Sequence, residues 1–143
     1  MTLWALTVDC ADPGLLARFW AEALGYEPAP APQGWASWED WFDSFEVPED
    51  ERDIGALRDP TGAGPALSFL PVPEPKTAKN RLHLDLKVSG GRHVPWETRW
   101  PVVLAAVDRL TRAGATVLQQ HDHEGRGDHV VMADPEGNEF CVV

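Results

Sequence analysis

The sequence predicts an α+β fold built twice over, with a strand, a helix and about three further strands up to about residue 74 and the same series again from about 79 to 143. Three observations carry this. Apolar and polar side chains alternate in Trp4–Cys10 and again in Arg81–Val88, the period of two that marks a strand. Each of these stretches is followed by apolar residues at helical spacing that run into a glycine. Each module then contains an Asp-Pro-x-Gly turn between apolar runs, Asp59-Pro60-Thr61-Gly62 and Asp134-Pro135-Glu136-Gly137. The repeated order makes 1–143 one domain of two modules.

Taken in order, the first strand places Trp4, Leu6, Val8 and Cys10 on its apolar face. Asp12 then precedes Pro13, a side-chain cap followed by the residue best tolerated in a first helical turn. Leu16, Phe19, Trp20 and Leu24 follow on one helical face, and Gly25 closes the helix. The first Asp-Pro-x-Gly turn joins two antiparallel strands. In the second module Arg81-Leu82-His83-Leu84-Asp85-Leu86-Lys87-Val88 sets Leu82, Leu84, Leu86 and Val88 on one face and Arg81, His83, Asp85 and Lys87 on the other. Four polar or ionisable groups on one strand face suit a wet cavity, because buried charges must be paired. Gly90-Gly91 breaks this strand; Val103, Leu104, Val107 and Leu110 then share a helical face closed by Gly114. His121-Asp122-His123 followed by His129 would put His121 and His123 on one side if the segment stayed extended, and two histidines with a carboxylate can hold a metal, but Glu124-Gly125-Arg126-Gly127-Asp128 reads as a flexible polar hairpin loop and the histidines as solvated loop residues.

Composition narrows the function. A formal charge of -11 argues against nucleic acid and anionic membrane surfaces and favours a neutral or cationic small ligand. No apolar run reaches membrane-spanning length, and Met1-Thr2-Leu3-Trp4 lacks the basic and apolar regions of a signal peptide, so the chain reads as cytoplasmic. Cys10 and Cys141, the two cysteines, sit in apolar strand-like surroundings and read as reduced core residues. Of the seven tryptophans, Trp4 and Trp20 fall on core faces. Trp35, Trp38 and Trp41 crowd with Phe42 and Phe45 into the extra length of the first module, and Trp96 and Trp100 into that of the second. Aromatic insertions on a repeated scaffold suit a ligand wall for planar or cationic compounds; a satellite core or a subunit contact is the alternative. The acidic run Glu46 to Asp53 reads as a solvated loop.

The order of strand, Asp-Pro-led helix with Phe19-Trp20, Gly25-Tyr26, Arg81-Leu82-His83-Leu84-Asp85-Leu86 and a closing Asp134-Pro135-Glu136-Gly137-Asn138-Glu139-Phe140 resembles the glyoxalase/bleomycin-resistance/extradiol-dioxygenase superfamily, the vicinal oxygen chelate proteins. Within it, Pro75-Lys76-Thr77-Ala78-Lys79-Asn80-Arg81 leading into His-Leu-Asp-Leu resembles the glyoxalase-like subgroup. The resemblance implies two tandem βαβββ modules forming curved mixed sheets around a shared cleft, helices outside. Ala5, Thr7, His83, Asp85 and Glu139 would line that cleft. It also implies metal ligands on the first and last strands of each module. His83 matches one such position, but its counterpart is Ala5, which has no donor, and the usual glutamate position falls on Cys141, with Glu139 two residues earlier. The first module's last-strand position falls near Ser68, Phe69 or Leu70. His83 and Glu139 alone are short of the three protein ligands that a catalytic site generally has.

The expectation is therefore a small-molecule-binding protein of glyoxalase/bleomycin-resistance type without an intact superfamily metal site and without a cofactor. The ligand residues would be Thr7, Trp35, Trp38, Trp41, Trp96 and Trp100, with His83, Asp85 and Glu139 as the acid/base candidates. The alternative is a lyase, isomerase or dioxygenase whose divalent metal, held by His83 and Glu139, chelates vicinal oxygens of a substrate. A homodimer is expected from the strand edges and apolar area that such sheets leave to cover.

Overall fold

A computed structural model of the chain describes residues 2–143. It divides into two compact units, the first ending at Pro75 and the second running Lys76–Val143. In the first unit, β1 (Ala5–Cys10) leads to α1 (Pro13–Leu24), then β2 (Glu27–Pro28), a short α2 (Trp38–Ser44), β3 (Leu57–Arg58) and β4 (Ala66–Pro71). The second holds β5 (Asp85–Leu86), α3 (Trp96–Arg112), β6 (Thr116–His123), β7 (Arg126–Ala133) and β8 (Glu139–Val142). Each unit carries one four-stranded mixed sheet, ordered β1-β4-β3-β2 and β5-β8-β7-β6. In both, the first strand lies parallel to the last and the other pairings are antiparallel. The α+β class and the doubled βαβββ order are as the sequence predicts.

Local chemistry explains why these elements form. The Asp12 carboxylate accepts from the Leu15 N–H at 2.8 Å, Pro13 opens α1, and Gly25 ends it at a φ of 69° that other residues rarely adopt. Leu16, Phe19 and Trp20 are buried, each contributing about 2–3 kcal/mol by leaving water. The two Asp-Pro-x-Gly turns are alike in detail. Gly62 N–H donates to Asp59 O at 3.0 Å and Gly137 N–H to Asp134 O at 2.9 Å, while each Asp carboxylate accepts the N–H two residues on, from Thr61 and from Glu136.

Four details depart from the sequence reading. Trp4 is 67% exposed because the ladder with β4 begins at Ala5, so this tryptophan precedes the sheet instead of packing in it. The regular strand expected over 81–88 is confined to Asp85–Leu86, and Leu82 is 81% exposed. The sole neighbour of β5 in its sheet is β8, four residues long, which leaves Arg81 and Leu82 nothing to pair with. Ladder bonds do run further along, from Cys141 N–H to Leu84 O and from Val88 N–H to Val143 O, both at 2.9 Å, so Leu84, Leu86 and Val88 still point inward. Helix α3 starts at Trp96, well before Val103, and buries Trp100, Val103, Ala106 and Leu110, whereas Leu104 faces outward. The expected polar loop 124–128 shrinks to Glu124-Gly125, both at positive φ (52° and 74°), the two-residue turn whose twist matches a hairpin. Arg126, Gly127 and Asp128 already belong to β7.

Candidate functional site

The polar face of the second unit's sheet forms a cavity of about 590 Å³. Along β5 and its continuation, His83, Asp85 and Lys87 point into it, and the register Asp85↔Cys141 puts the β8 thiol beside the Asp85 carboxylate. His83 Nε2 lies 3.4 Å from Asp85 Oδ1, so these two side chains, two residues apart on one face, do meet. One donor atom each from His83, Asp85 and Cys141 falls within 4.8 Å of the others. Burial, and then the neighbouring Asp85 charge, push the Cys141 thiol above its ordinary range, which keeps it protonated at neutral pH.

The far wall is an ion network built on Asp128, whose side chain is 6% exposed. Arg92 grips it with two bonds, Nε to Oδ1 at 3.0 Å and Nη2 to Oδ2 at 2.7 Å. Arg99, from the buried face of α3, donates to Oδ1 at 3.1 Å and to the Asp128 carbonyl at 3.3 Å. His129 Nδ1 stands 3.0 Å from Oδ2, and its ring stacks on His121 with centroids 4.6 Å apart. The Arg92 bonds, helped by His129 and Arg99 and opposed by burial, hold the Asp128 carboxyl far below the usual carboxylate range. Ser89, Gly90 and Gly91 complete the wall.

The residues singled out in the sequence are distributed unevenly. His83 and Asp85 are in the cavity. Glu139 lies on β8 but bonds to the Lys79 ammonium, which lowers its carboxyl pKa, and its N–H donates to Asn80 Oδ1 at 3.1 Å. Thr7 is on the exposed face of β1. Trp38 and Trp41 are in α2 and not in an irregular loop. With Trp35, Phe42 and Phe45 they pack on one another, with Trp41 and Phe45 centroids 4.9 Å apart and Trp38 Nε1 donating to Ala29 O at 3.0 Å. Trp96 and Trp100 occupy the first turns of α3 instead of a loop before it. Trp96 Nε1 donates to Gly127 O at 2.9 Å, and the buried Trp100 ring fills the space where a Cβ on residue 127 would stand. None of these five tryptophans lines the cavity.

Sequence reasoning missed Ser89, Arg92, Arg99, Asp128 and His129. The two arginines that pair with Asp128 are 29 and 36 residues away, and no local pattern announces a pair closed over that distance. One signal was present: an acidic residue two positions before the apolar run Val130-Val131-Met132 needs a cation if it is drawn out of water with that run.

The profile of the glyoxalase-like domain matches residues 5–143. A search of the curated proteins gives no match. Among solved structures, a glyoxalase/bleomycin resistance protein/dioxygenase family enzyme from Burkholderia phytofirmans is similar, at 13% identity and a TM-score of 0.61, over 99% of this chain and 97% of that one. A mutant of the fosfomycin resistance protein FosX from Listeria monocytogenes, complexed with Mn(II) and 1S,2S-dihydroxypropylphosphonic acid, superposes with a TM-score of 0.61 at 11% identity over 99% of this chain and 87% of that one. A glyoxalase-related enzyme from Fulvimarina pelagi gives 18% identity and a TM-score of 0.56 over 99% and 87%. At such identities the structures speak for the fold alone, and it is the profile, running from the first strand to the last residue, that places this chain in the glyoxalase-like domain family.

Proposed function

We propose that this protein binds a small molecule in the polar cavity of its second unit, in the manner of the glyoxalase/bleomycin-resistance proteins, without needing a metal at the superfamily position. The observation that carries the reading is the cavity itself, within the size range of small-molecule sites and walled by convergent polar groups. His83 and Asp85 are its acid/base pair, placed to move a proton to or from a bound hydroxyl or carbonyl. Ala5, where a ligand of the first module would stand, supports the metal-free form of the reading.

A second reading, a metal-dependent lyase, isomerase or dioxygenase, is favoured by the cluster of His83, Asp85 and Cys141. Zinc bonds of about 2.0–2.3 Å set ligand atoms about 3.5 Å apart, and the three donors lie within 4.8 Å of one another. The mixed nitrogen, oxygen and sulfur set fits a borderline cation such as zinc better than a hard one. Such an ion would supply Lewis acidity toward vicinal oxygens. The solved FosX complex with Mn(II) shows that this fold can host a metal.

Protein dialysed against chelator is expected to take up compounds from a library of small planar molecules, with saturable amide shifts at Asp85, His129 and Cys141 in ¹H–¹⁵N spectra. Uptake that requires added Zn²⁺ or Mn²⁺ at one ion per chain, and that His83→Ala abolishes, would establish the second reading instead. No uptake under either condition removes both.

The reading includes a cytoplasmic homodimer. Its support is the exposure of Leu3 and Trp4 beside β1 and of Leu82 beside β5, each strand an edge of its own sheet. Light scattering at micromolar concentration should give twice the mass of one chain; a monomer there ends the claim.

A further inference from the structure

Among the described residues, one buried side-chain oxygen has no hydrogen-bond partner, Ser89 Oγ. Ser89 is 8% exposed and forms part of the cavity wall. A hydroxyl withdrawn from water without a partner is destabilising, so its place on the wall of a cavity points to a partner that arrives with a ligand. The next two residues, Gly90 and Gly91, have φ of 81° and 97° and present bare backbone to the same space. Neither glycine N–H makes a hydrogen bond within the described residues.

The charges at this end decide what kind of group belongs there. In a chain whose side chains carry a formal charge of -11, the side chains of the cavity wall offer three permanent cations, Lys87, Arg92 and Arg99, against two carboxylates, Asp85 and Asp128. Asp128 is consumed by both arginines. Two of the five N–H groups of Arg92 go to it, and the rest of that exposed guanidinium is free to donate. Lys87 has no ion-pair partner among the described residues. Donors without acceptors, next to side chains whose positive charge outnumbers the negative in a chain that is acidic overall, are the chemistry of an oxyanion site.

We propose that Ser89, Gly90, Gly91 and Arg92, with Lys87 beside them, form the subsite for an oxyanion, a carboxylate or phosphoryl group, on the small molecule that the cavity holds. This rests on the cavity reading above and replaces the neutral or cationic ligand that overall charge suggested. The bulk field of the chain repels anions at long range, but screening confines that field to about 10 Å at ordinary salt, so donors in contact with the ligand outweigh it.

Four probes with the same ring and different heads test this by ¹H–¹⁵N spectra of the full chain at fixed ionic strength: phenyl phosphate, benzoate, benzylammonium and benzyl alcohol. The expected result is saturable shifts of the Ser89, Gly90 and Gly91 amides with the two anions, at least tenfold tighter than with benzylammonium. The tighter of the two anions tells phosphoryl from carboxylate. Ser89→Ala and Lys87→Met should each weaken anion binding about tenfold, the worth of one hydrogen bond to a charged group. Arg112→Met, which removes the same charge from an exposed position on α3 outside the cavity, should not. Ser89→Ala should unfold at the wild-type temperature or above it, since it deletes an unsatisfied hydroxyl. Benzylammonium or benzyl alcohol binding as tightly as the anions, or variants that bind like wild type, would overturn the oxyanion subsite while the cavity reading stands. If no probe shifts a cavity residue, the cavity reading falls with it.

Discussion

Asp128→Ala should lower the stability to unfolding by about 3–5 kcal/mol, the usual result of removing one member of a buried ion pair. The loss is larger than that of the ion pair's own attraction because Arg99, with a side chain 9% exposed, is left charged, out of water and unmatched. Arg92 loses both of its bonds at the same time, and His129 loses the group beside its Nδ1. Urea unfolding of the variant beside the wild type measures the loss. Acid should produce part of the same effect in the wild-type protein. The Asp128 carboxyl titrates below its ordinary 3.8 in the folded chain, so its contribution is complete above that pH and disappears as the pH falls through and below it. Asp128→Asn, which cannot titrate, should lack this portion of the acid dependence. A variant within 1 kcal/mol of wild type would show that Arg99 finds another partner.

Phe140→Ala should cost a comparable 3–5 kcal/mol, since the ring is fully buried and its removal leaves a cavity that the sheet cannot fill. The site gives this substitution its interest. Phe140 lies on β8 between Glu139 and Cys141, its ring buried while those two side chains are half-buried on the other side of the strand. The variant should therefore lose affinity for cavity ligands at temperatures where most of it is still folded. Calorimetric titration at 10 °C, alongside a thermal melt, separates the two losses; full affinity in a destabilised protein would mean that β8 holds its position without the ring.

Local features were legible in the sequence and distant ones were not. The Asp12 cap, the Gly25 stop and the two Asp-Pro-x-Gly turns depend on contacts within about five residues, and the structure contains all of them. The meeting of His83 with Asp85 follows from strand periodicity, although periodicity alone does not fix their separation. Leu82 and Trp4 show the limit of a pattern: alternation marks which face a side chain takes, not where the partner strand ends. Trp96 and Trp100 fall in the extra length of the second module because the apolar helical spacing shows only from Val103, yet α3 starts at Trp96 and continues through Pro101, whose ring nitrogen cannot donate to the Glu97 carbonyl. The ion network on Asp128 joins α3, β7 and the segment after β5, and only the folded chain brings these together.

The parallel pairing of β5 with β8 affects when, as well as where, the site exists. The hairpins β6–β7 and β7–β8 close over a few residues, whereas Asp85 meets Cys141 only after the whole of α3 and both hairpins lie between them. Closing a long loop has an entropic cost that short hairpins escape, so chain connectivity places the β5–β8 ladder late in the order of assembly. The same strand is an edge with a two-residue core, paired over fewer residues than the other strands of its sheet. His83, Asp85 and Cys141 are thus neighbours only in the finished molecule. A nascent or partly opened chain carries the same three side chains with nothing to hold them together, and has no pocket in which to trap a ligand prematurely.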